Sequence, residues 1–190
     1  MTAPTENEVK IRLQDRAAAL RRIHAAGFHE AEPRQFEANT LYDTPDHRLR
    51  DQQMLLRVRQ AGKKSLVTWK GPGVPGPHKN RPEIETVVGS SEAISQIFRH
   101  LGFEPAFRYE KYRTEFKRNS EPGAITVDET PIGDFLELEG PAAWIDQTAA
   151  LLGFSPGDYI LDSYGKLYIA DCERRGVRPT HMVFASTPAS

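Results

Sequence analysis

The chain of 190 residues has one cysteine, Cys172, so no internal disulfide can form. No histidine pattern surrounds that cysteine, and it reads as a half-exposed bystander near the C-terminus. No apolar run approaches the ~20 residues of a membrane-spanning helix. The opening MTAPTENEVK lacks the basic and apolar segments of a secretion signal. The expectation is a soluble, cytoplasmic protein. A dominant charge is missing too: the net charge is −1, so no global field favours nucleic acid or an anionic membrane. GPGVPGP at 71–77 lacks the GK[ST] ending of a Walker phosphate loop, which argues against a P-loop NTPase. His24, His29, His47, His78, His100 and His181 show neither HxH nor HExxH spacing and read as surface or helix histidines. His78, in a loop beside Lys79, is the one that stands out. Ser163 and Tyr164 have no His/Asp context for nucleophilic catalysis. Trp69, next to Lys70, reads as outer-face packing.

The hydrophobic share, 38%, is low for a globular chain, while 27% charged is ordinary. That balance fits a fold that spends interior positions on charge. The charges are ordered. Glu6 and Glu8 precede Lys10 in ENEVK; Arg57 and Arg59 stand in LLRVRQ, Glu83 and Glu85 in RPEIET, Lys111 and Arg113 in EKYRTEF, Glu137 and Glu139 in FLELEG. Side chains at i and i+2 of a strand share a face. Each of these segments therefore has a charged face opposite an apolar one (Val9, Ile11, Val58, Ile84, Leu136, Leu138). Between Arg57 and Arg81 there are seven Lys or Arg and no Asp or Glu, so the near-zero total hides segregated patches.

Strand candidates lie near 5–13, 35–43, 53–60, 65–70, 82–88, 107–118, 124–129 and 134–139, many linked by short turns that suit antiparallel pairing. Three helices, DRAAALRRIHAAGF, SSEAISQIFRHLGF and PAAWIDQTAALLGF, each close on Gly then Phe: Gly27–Phe28, Gly102–Phe103 and Gly153–Phe154. Asp15 and the serines before Glu92 read as N-caps, and Pro141 as a first-turn residue. GPGVPGPHKNRP (71–82) is the one long loop, and YILDSYGKLYIADCE after Asp158 suggests a short helix. Residues 1–175 read as one domain, with a loosely ordered tail over 176–190. The fold class is α+β, a closed or nearly closed antiparallel barrel with helices outside.

A single alternating strand is usually an amphipathic strand with its polar face in water. Several such strands of both signs point instead to a charged lumen, with the apolar faces packed beneath helices. Buried unpaired charge costs several kcal/mol per ion, so such a lumen is wet, paired or liganded. Glu6, Glu8, Glu83, Glu85, Asp128, Glu137 and Glu139 are oxygen ligands suited to Mg²⁺ or Mn²⁺. Lys10, Arg57, Arg59, Lys70, Arg81, Lys111 and Arg113 suit phosphate oxygens.

In that order ENEVK, LYDTPDHRL, LLRVR, TWKGPG, RPEIE, EKYR, ITVDE and GDFLELEG, over roughly residues 5–170, resemble the CYTH-domain proteins, the triphosphate tunnel metalloenzymes. The resemblance implies an eight-stranded antiparallel tunnel flanked by helices. It implies metal ligation by Glu6, Glu8, Glu137 and Glu139, with Asp128 as a ligand of a second metal and Glu83 and Glu85 as further tunnel acids. It assigns triphosphate contacts to Lys10, Arg57, Arg59, Lys70, Lys111 and Arg113, with Lys79 and Arg81 bordering the loop and Lys166 at the tunnel mouth. TWKGPG, LGFEPAFRYEKYR and ITVDETPIGDFLELE are most similar to the class IV adenylyl cyclases, which convert ATP to cyclic AMP and pyrophosphate with Mg²⁺ or Mn²⁺. The alternatives are a triphosphatase acting on tripolyphosphate, thiamine triphosphate or nucleoside triphosphates, and a non-catalytic polyphosphate or nucleotide binder. Homodimers occur in the family. The catalytic base, if there is one, is not assigned.

Overall fold

A computed structural model describes residues 5–185. Eight antiparallel strands form a closed barrel: β1 (Thr5–Leu13), β2 (His29–Asp43), β3 (Leu55–Ala61), β4 (Lys64–Lys70), β5 (Lys79–Val88), β6 (Glu104–Lys117), β7 (Ala124–Thr130) and β8 (Gly133–Glu139). Their order around the barrel is β1-β5-β4-β3-β2-β6-β7-β8. Closure satisfies the edge hydrogen bonds that an open sheet of this size would expose. The expected α+β barrel is the observed one. β2, β5 and β6 each start earlier than the alternation suggested. The β2–β6 ladder carries register shifts at Glu30/Glu32 and Glu32/Gln35, which break the two-residue period that marks a strand in sequence.

Among the described residues five α-helices flank the barrel: α1 (Arg16–Ala25), α2 (Arg48–Asp51), α3 (Ser91–His100), α4 (Ala142–Leu151) and α5 (Tyr164–Arg175). Asp15 caps α1 through the Ala18 amide at 2.9 Å, and Ser90 caps α3 through the Ala93 amide at 3.1 Å. Pro141 stands one residue before α4, in the cap position. Gly27, Gly102 and Gly153 adopt φ of +83°, +87° and +82°, and the phenylalanine amide after each returns to the last helical turn (Phe28 to Ile23, Phe103 to Phe98, Phe154 to Ala149). The three Gly–Phe endings are thus one device for turning a helix back into the wall.

The main core lies outside the barrel. Val9, Ile11, Ile125, Val127, Leu136 and Leu138 meet Ile23 of α1 and Trp144, Ile145 and Ala149 of α4. A smaller cluster packs α3 through Phe98 on Tyr42 and Val58. At one end, Tyr164, Tyr168 and Cys172 of α5 meet Tyr109 and Phe135.

Four expectations are corrected. Ile84 is 54% exposed, because α1 and α4 cover the β1–β8–β7 wall and leave the outer face of β5 open. Cys172 is fully buried, on the face of α5 turned to the barrel end. His78 is buried rather than superficial. The tail is anchored at Met182, which is fully buried and exchanges backbone hydrogen bonds with Arg108 and Glu110 of β6, at 3.0 and 2.9 Å. β7 pairs with β6 only from Tyr112 onward, so the earlier part of that edge is open to the tail. Residues 186–190 of the expected tail lie outside the described residues.

Candidate functional site

Strand alternation turns the charged i, i+2 pairs into one cavity of about 470 Å³. All of the site residues expected from sequence line it except Asp128 and Lys166, and Lys79 joins them. Lys10 donates to Glu137 across the β1–β8 ladder, Lys79 to Glu8 and Lys70 to Glu6. Lys70 also lies 3.0 Å from Glu83. The Arg57 guanidinium reaches Glu85 at 3.3 Å, Thr68 at 3.0 Å and the Tyr109 hydroxyl at 3.2 Å. Arg59 donates to Asn39 at 3.0 Å. Arg113 spans Asp128 and Glu137. Each cation thus faces a carboxylate or a neutral acceptor, which is how a lumen this charged stays folded.

Asp128 sits behind the lining and is fully buried. It accepts from Lys111 at 2.8 Å, from two nitrogens of Arg113 at 2.6 Å each, and from Tyr164 at 2.7 Å. Those four bonds use the lone pairs of a carboxylate. Expected as a second-metal ligand, Asp128 has both oxygens engaged by Lys111, Arg113 and Tyr164 here, and it holds two lumen cations in place. Lys166 is on the outside, its side chain 75% exposed and 3.3 Å from Asp162. At the start of α5 it is Tyr164 that turns to the lumen, with Lys10 4.4 Å above its ring.

Sequence reading missed Glu37, Asn39 and Tyr109. Glu37 and Asn39 stand two apart in FEANTL, the same spacing as the other pairs, but only one of them is charged. Glu37 lies 3.6 Å from both Lys111 and Arg59. Its Oε2 and the Asn39 Nδ2 are buried without a hydrogen-bond partner. Tyr109 brings an aromatic ring into a polar face, so alternation of charge alone does not mark it.

Protonation follows this geometry. Burial first, then the hydrogen bond with Glu83 and the charge of Glu8, push the Glu6 carboxyl up to about 7, although Lys70 pulls the other way. One ammonium shared by two carboxylates cannot neutralise both. Burial, with Glu6 and Glu8 nearby, also pushes Glu139 up to about 7. For Glu8, burial is outweighed by Lys79 and Lys10, and its carboxyl is held low. For Glu37, burial is likewise outweighed by Lys111 and Arg59, which hold it at about 2. Burial would raise the Tyr109 phenol, but Arg57, Arg59 and Lys111 draw it down. Glu6 and Glu139 are therefore short of positive charge, while Glu8 is well compensated. Glu6, Glu8 and Glu139 offer oxygen donors of the kind hard divalent cations take, but among the described residues no three acidic, His or Cys side chains are gathered as a ready-made metal site.

The sequence pattern that defines the CYTH domain matches residues 4–152. The chain belongs to the CYTH family. A protein of Methanocaldococcus jannaschii named as a candidate adenylate cyclase is 29% identical over 147 residues, covering 77% of this chain and 83% of that one. The solved structure of a candidate adenylate cyclase from Vibrio parahaemolyticus superposes with a TM-score of 0.78 at 20% identity, over 87% of this chain and 98% of the other. A Hippeastrum protein, described as a candidate adenylyl cyclase with a dominant triphosphatase activity, superposes with a TM-score of 0.59 at 20% identity, over 92% and 97%. The two structures share the CYTH barrel with this chain. No helix among the described residues is long and apolar enough to cross a membrane.

Proposed function

We propose that this CYTH protein is a divalent-metal-dependent enzyme acting on a small triphosphate in the barrel lumen, with conversion of ATP to cyclic AMP and pyrophosphate as its first activity. The observation that carries the reading is a single cavity holding an acidic corner (Glu6, Glu8, Glu139) beside clustered cations (Lys10, Arg57, Arg59, Lys70, Lys111, Arg113). A triphosphate chain presents several anionic oxygens in a row, and guanidinium forks and ammonium points match them.

Glu6, Glu8, Glu137 and Glu139 are the carboxylates that would hold Mg²⁺ or Mn²⁺. When bound, the ion neutralises phosphate oxygens and sharpens the nucleophile. The chain's own residues do the rest. The cations fix the triphosphate, and phosphate oxygens replace the carboxylates that Lys10 and Lys70 now hold. Asp128 keeps Lys111 and Arg113 aimed at the substrate. In cyclisation the ribose 3′-hydroxyl gives its proton to solvent and its oxygen bonds to the α-phosphorus, the bond from that phosphorus to the bridging oxygen breaks, and pyrophosphate leaves with that oxygen. The M. jannaschii relative's name supports this reading.

The second reading is triphosphate hydrolysis, favoured by the activity described for the Hippeastrum protein. It needs the same charges and differs in the phosphorus presented to the nucleophile. Incubation with ATP, and separately with tripolyphosphate, under Mg²⁺ or Mn²⁺ distinguishes them. Cyclic AMP with pyrophosphate establishes the cyclase, and orthophosphate the triphosphatase. Tight binding without turnover of either would leave a binder and sink the enzymatic reading.

A further inference from the structure

β1 gives one edge to two partners in succession. Thr5–Glu8 pair with Pro82–Lys79 of β5 over four positions, the shortest ladder in the barrel. From Lys10 the same edge passes to Ile160, which exchanges backbone hydrogen bonds with it at 3.2 and 2.7 Å. The closed wall therefore has a seam where β5 stops and a distant segment takes over.

The residues flanking this seam share one carboxylate. His78, adjacent to Lys79, donates Nε2–H to Oδ1 of Asp146 at 2.8 Å. Tyr159, adjacent to Ile160, donates its hydroxyl to the same Oδ1 at 2.9 Å. The two rings lie 5.9 Å apart. Asp146 is carried by α4, whose neighbouring Ile145 and Ala149 are fully buried against the wall. His78 is itself buried, although it lies in a stretch of Gly and Pro that has little else to hold it. That stretch is otherwise tied through Val74 to Asn80 and Gly71 to Pro82. On the lumen side, the next residue, Lys79, reaches Glu8.

We propose that His78, Asp146 and Tyr159 form a clasp that closes the β1–β5 seam and thereby sets the position of Lys79 for binding a polyphosphate anion. The anion part rests on the triphosphate reading above. His78 and Asp146 are positioning residues: they touch the outside of the wall and act through the strand end they fix. The seam needs such a tie because four ladder positions are few to hold a strand end that carries a charged side chain into a ligand site.

Two measurements test this on the full chain. In calorimetric binding of inorganic tripolyphosphate with Mg²⁺, Asp146→Ala and Lys79→Ala each weaken binding about fivefold to tenfold, in line with a misplaced or missing charge contact. The double variant is no weaker than Lys79→Ala alone, because the clasp acts through that lysine. Asp146→Asn, which keeps an acceptor oxygen, restores most of the affinity. Without ligand, backbone amide exchange over Lys79–Arg81 speeds up in Asp146→Ala and in His78→Ala. Unchanged exchange there overturns the clasp whatever the binding result. Losses that add in the double variant overturn action through Lys79. If the wild type binds no tripolyphosphate, the anion role and the triphosphate reading fall together, and amide exchange still decides the clasp.

Discussion

The Tyr164 hydroxyl donates a 2.7 Å hydrogen bond to Oδ2 of Asp128, the oxygen that Lys111 also holds at 2.8 Å. A helix at the barrel end and two cations of the lumen thus hang on one carboxylate. The consequence is a graded mutational series. Asp128→Ala strands Lys111 and Arg113 in a buried site and should cost about 3–5 kcal/mol, the range for breaking a buried ion pair from one side. Tyr164→Phe removes one hydrogen bond to a charged group and should cost about 1.5–3 kcal/mol. Urea unfolding of both variants checks the order. Equal losses would mean that Asp128 does not organise the cations.

The acidic corner makes stability and metal binding move oppositely with pH. Glu6 has an ordinary carboxyl pKa when unfolded and about 7 when folded, so between roughly 4.5 and 7 the folded state keeps a proton that the unfolded state has lost. The metal-free protein is therefore destabilised as pH rises through that window. Glu139 adds in the same direction, but it stands at the open rim where solvent screens it more. On the proposed metal dependence, a divalent cation takes the deprotonated carboxylates, so the thermal stabilisation by Mn²⁺ should grow from pH 5.5 to pH 8. Glu6→Gln should be less sensitive to pH without metal and should lose most of the Mn²⁺ response. Thermal scans over that range check both. A Mn²⁺ shift independent of pH would remove Glu6 from the proposed metal site.

Glu37 has the opposite sign. Its carboxyl is held at about 2 in the folded state, so its contribution is present above the unfolded pKa and is lost as pH falls from about 4.5 toward 2. Glu37→Gln leaves Lys111 and Arg59 without their shared counter-charge and should destabilise the protein by about 2–3 kcal/mol at pH 7. The gap to wild type should close in acid. Guanidinium unfolding at pH 7 and pH 3 gives the two values needed. A gap that persists at low pH would point to lost packing instead.

Met182 seals the free edge of β6 beside Tyr109. Met182→Ala should cost about 2–5 kcal/mol, as expected when a fully buried side chain leaves a cavity. Because Tyr109 accepts from Arg57 in the lumen, the same change should also weaken triphosphate binding. Denaturation together with a binding isotherm reads both effects. Wild-type stability would show that the tail is dispensable.

The barrel and most of its lumen were legible because both follow from a period of two. Wherever a strand carries a charged pair and no bulge, as in β1, β3, β5 and β8, residue parity alone assigns the face. Reading failed where position depends on another element. Ile84 has the parity of a packed residue, yet no helix lies over it. Lys166 is one residue away from the side chain that turns inward, and a helix start has no two-residue parity to say which one does. Asp128 has the charge of a metal ligand, but its partners come from β6 and α5, both distant in sequence. His78 sits in a loop whose composition suggests solvent; its hydrogen-bond partner, Asp146, lies 68 positions along the chain.

The apolar core lies between the wall and the helices, while the charges line the interior, so the two tasks of each strand fall on alternate residues. Val9 secures the fold, and its neighbours Glu8 and Lys10 meet the ligand space. A substitution in the lumen can therefore change which ligand is held, with the hydrophobic packing left as it was. On the proposed function, one scaffold can in this way be retuned between phosphate reactions from its lumen residues while the apolar packing stays in place.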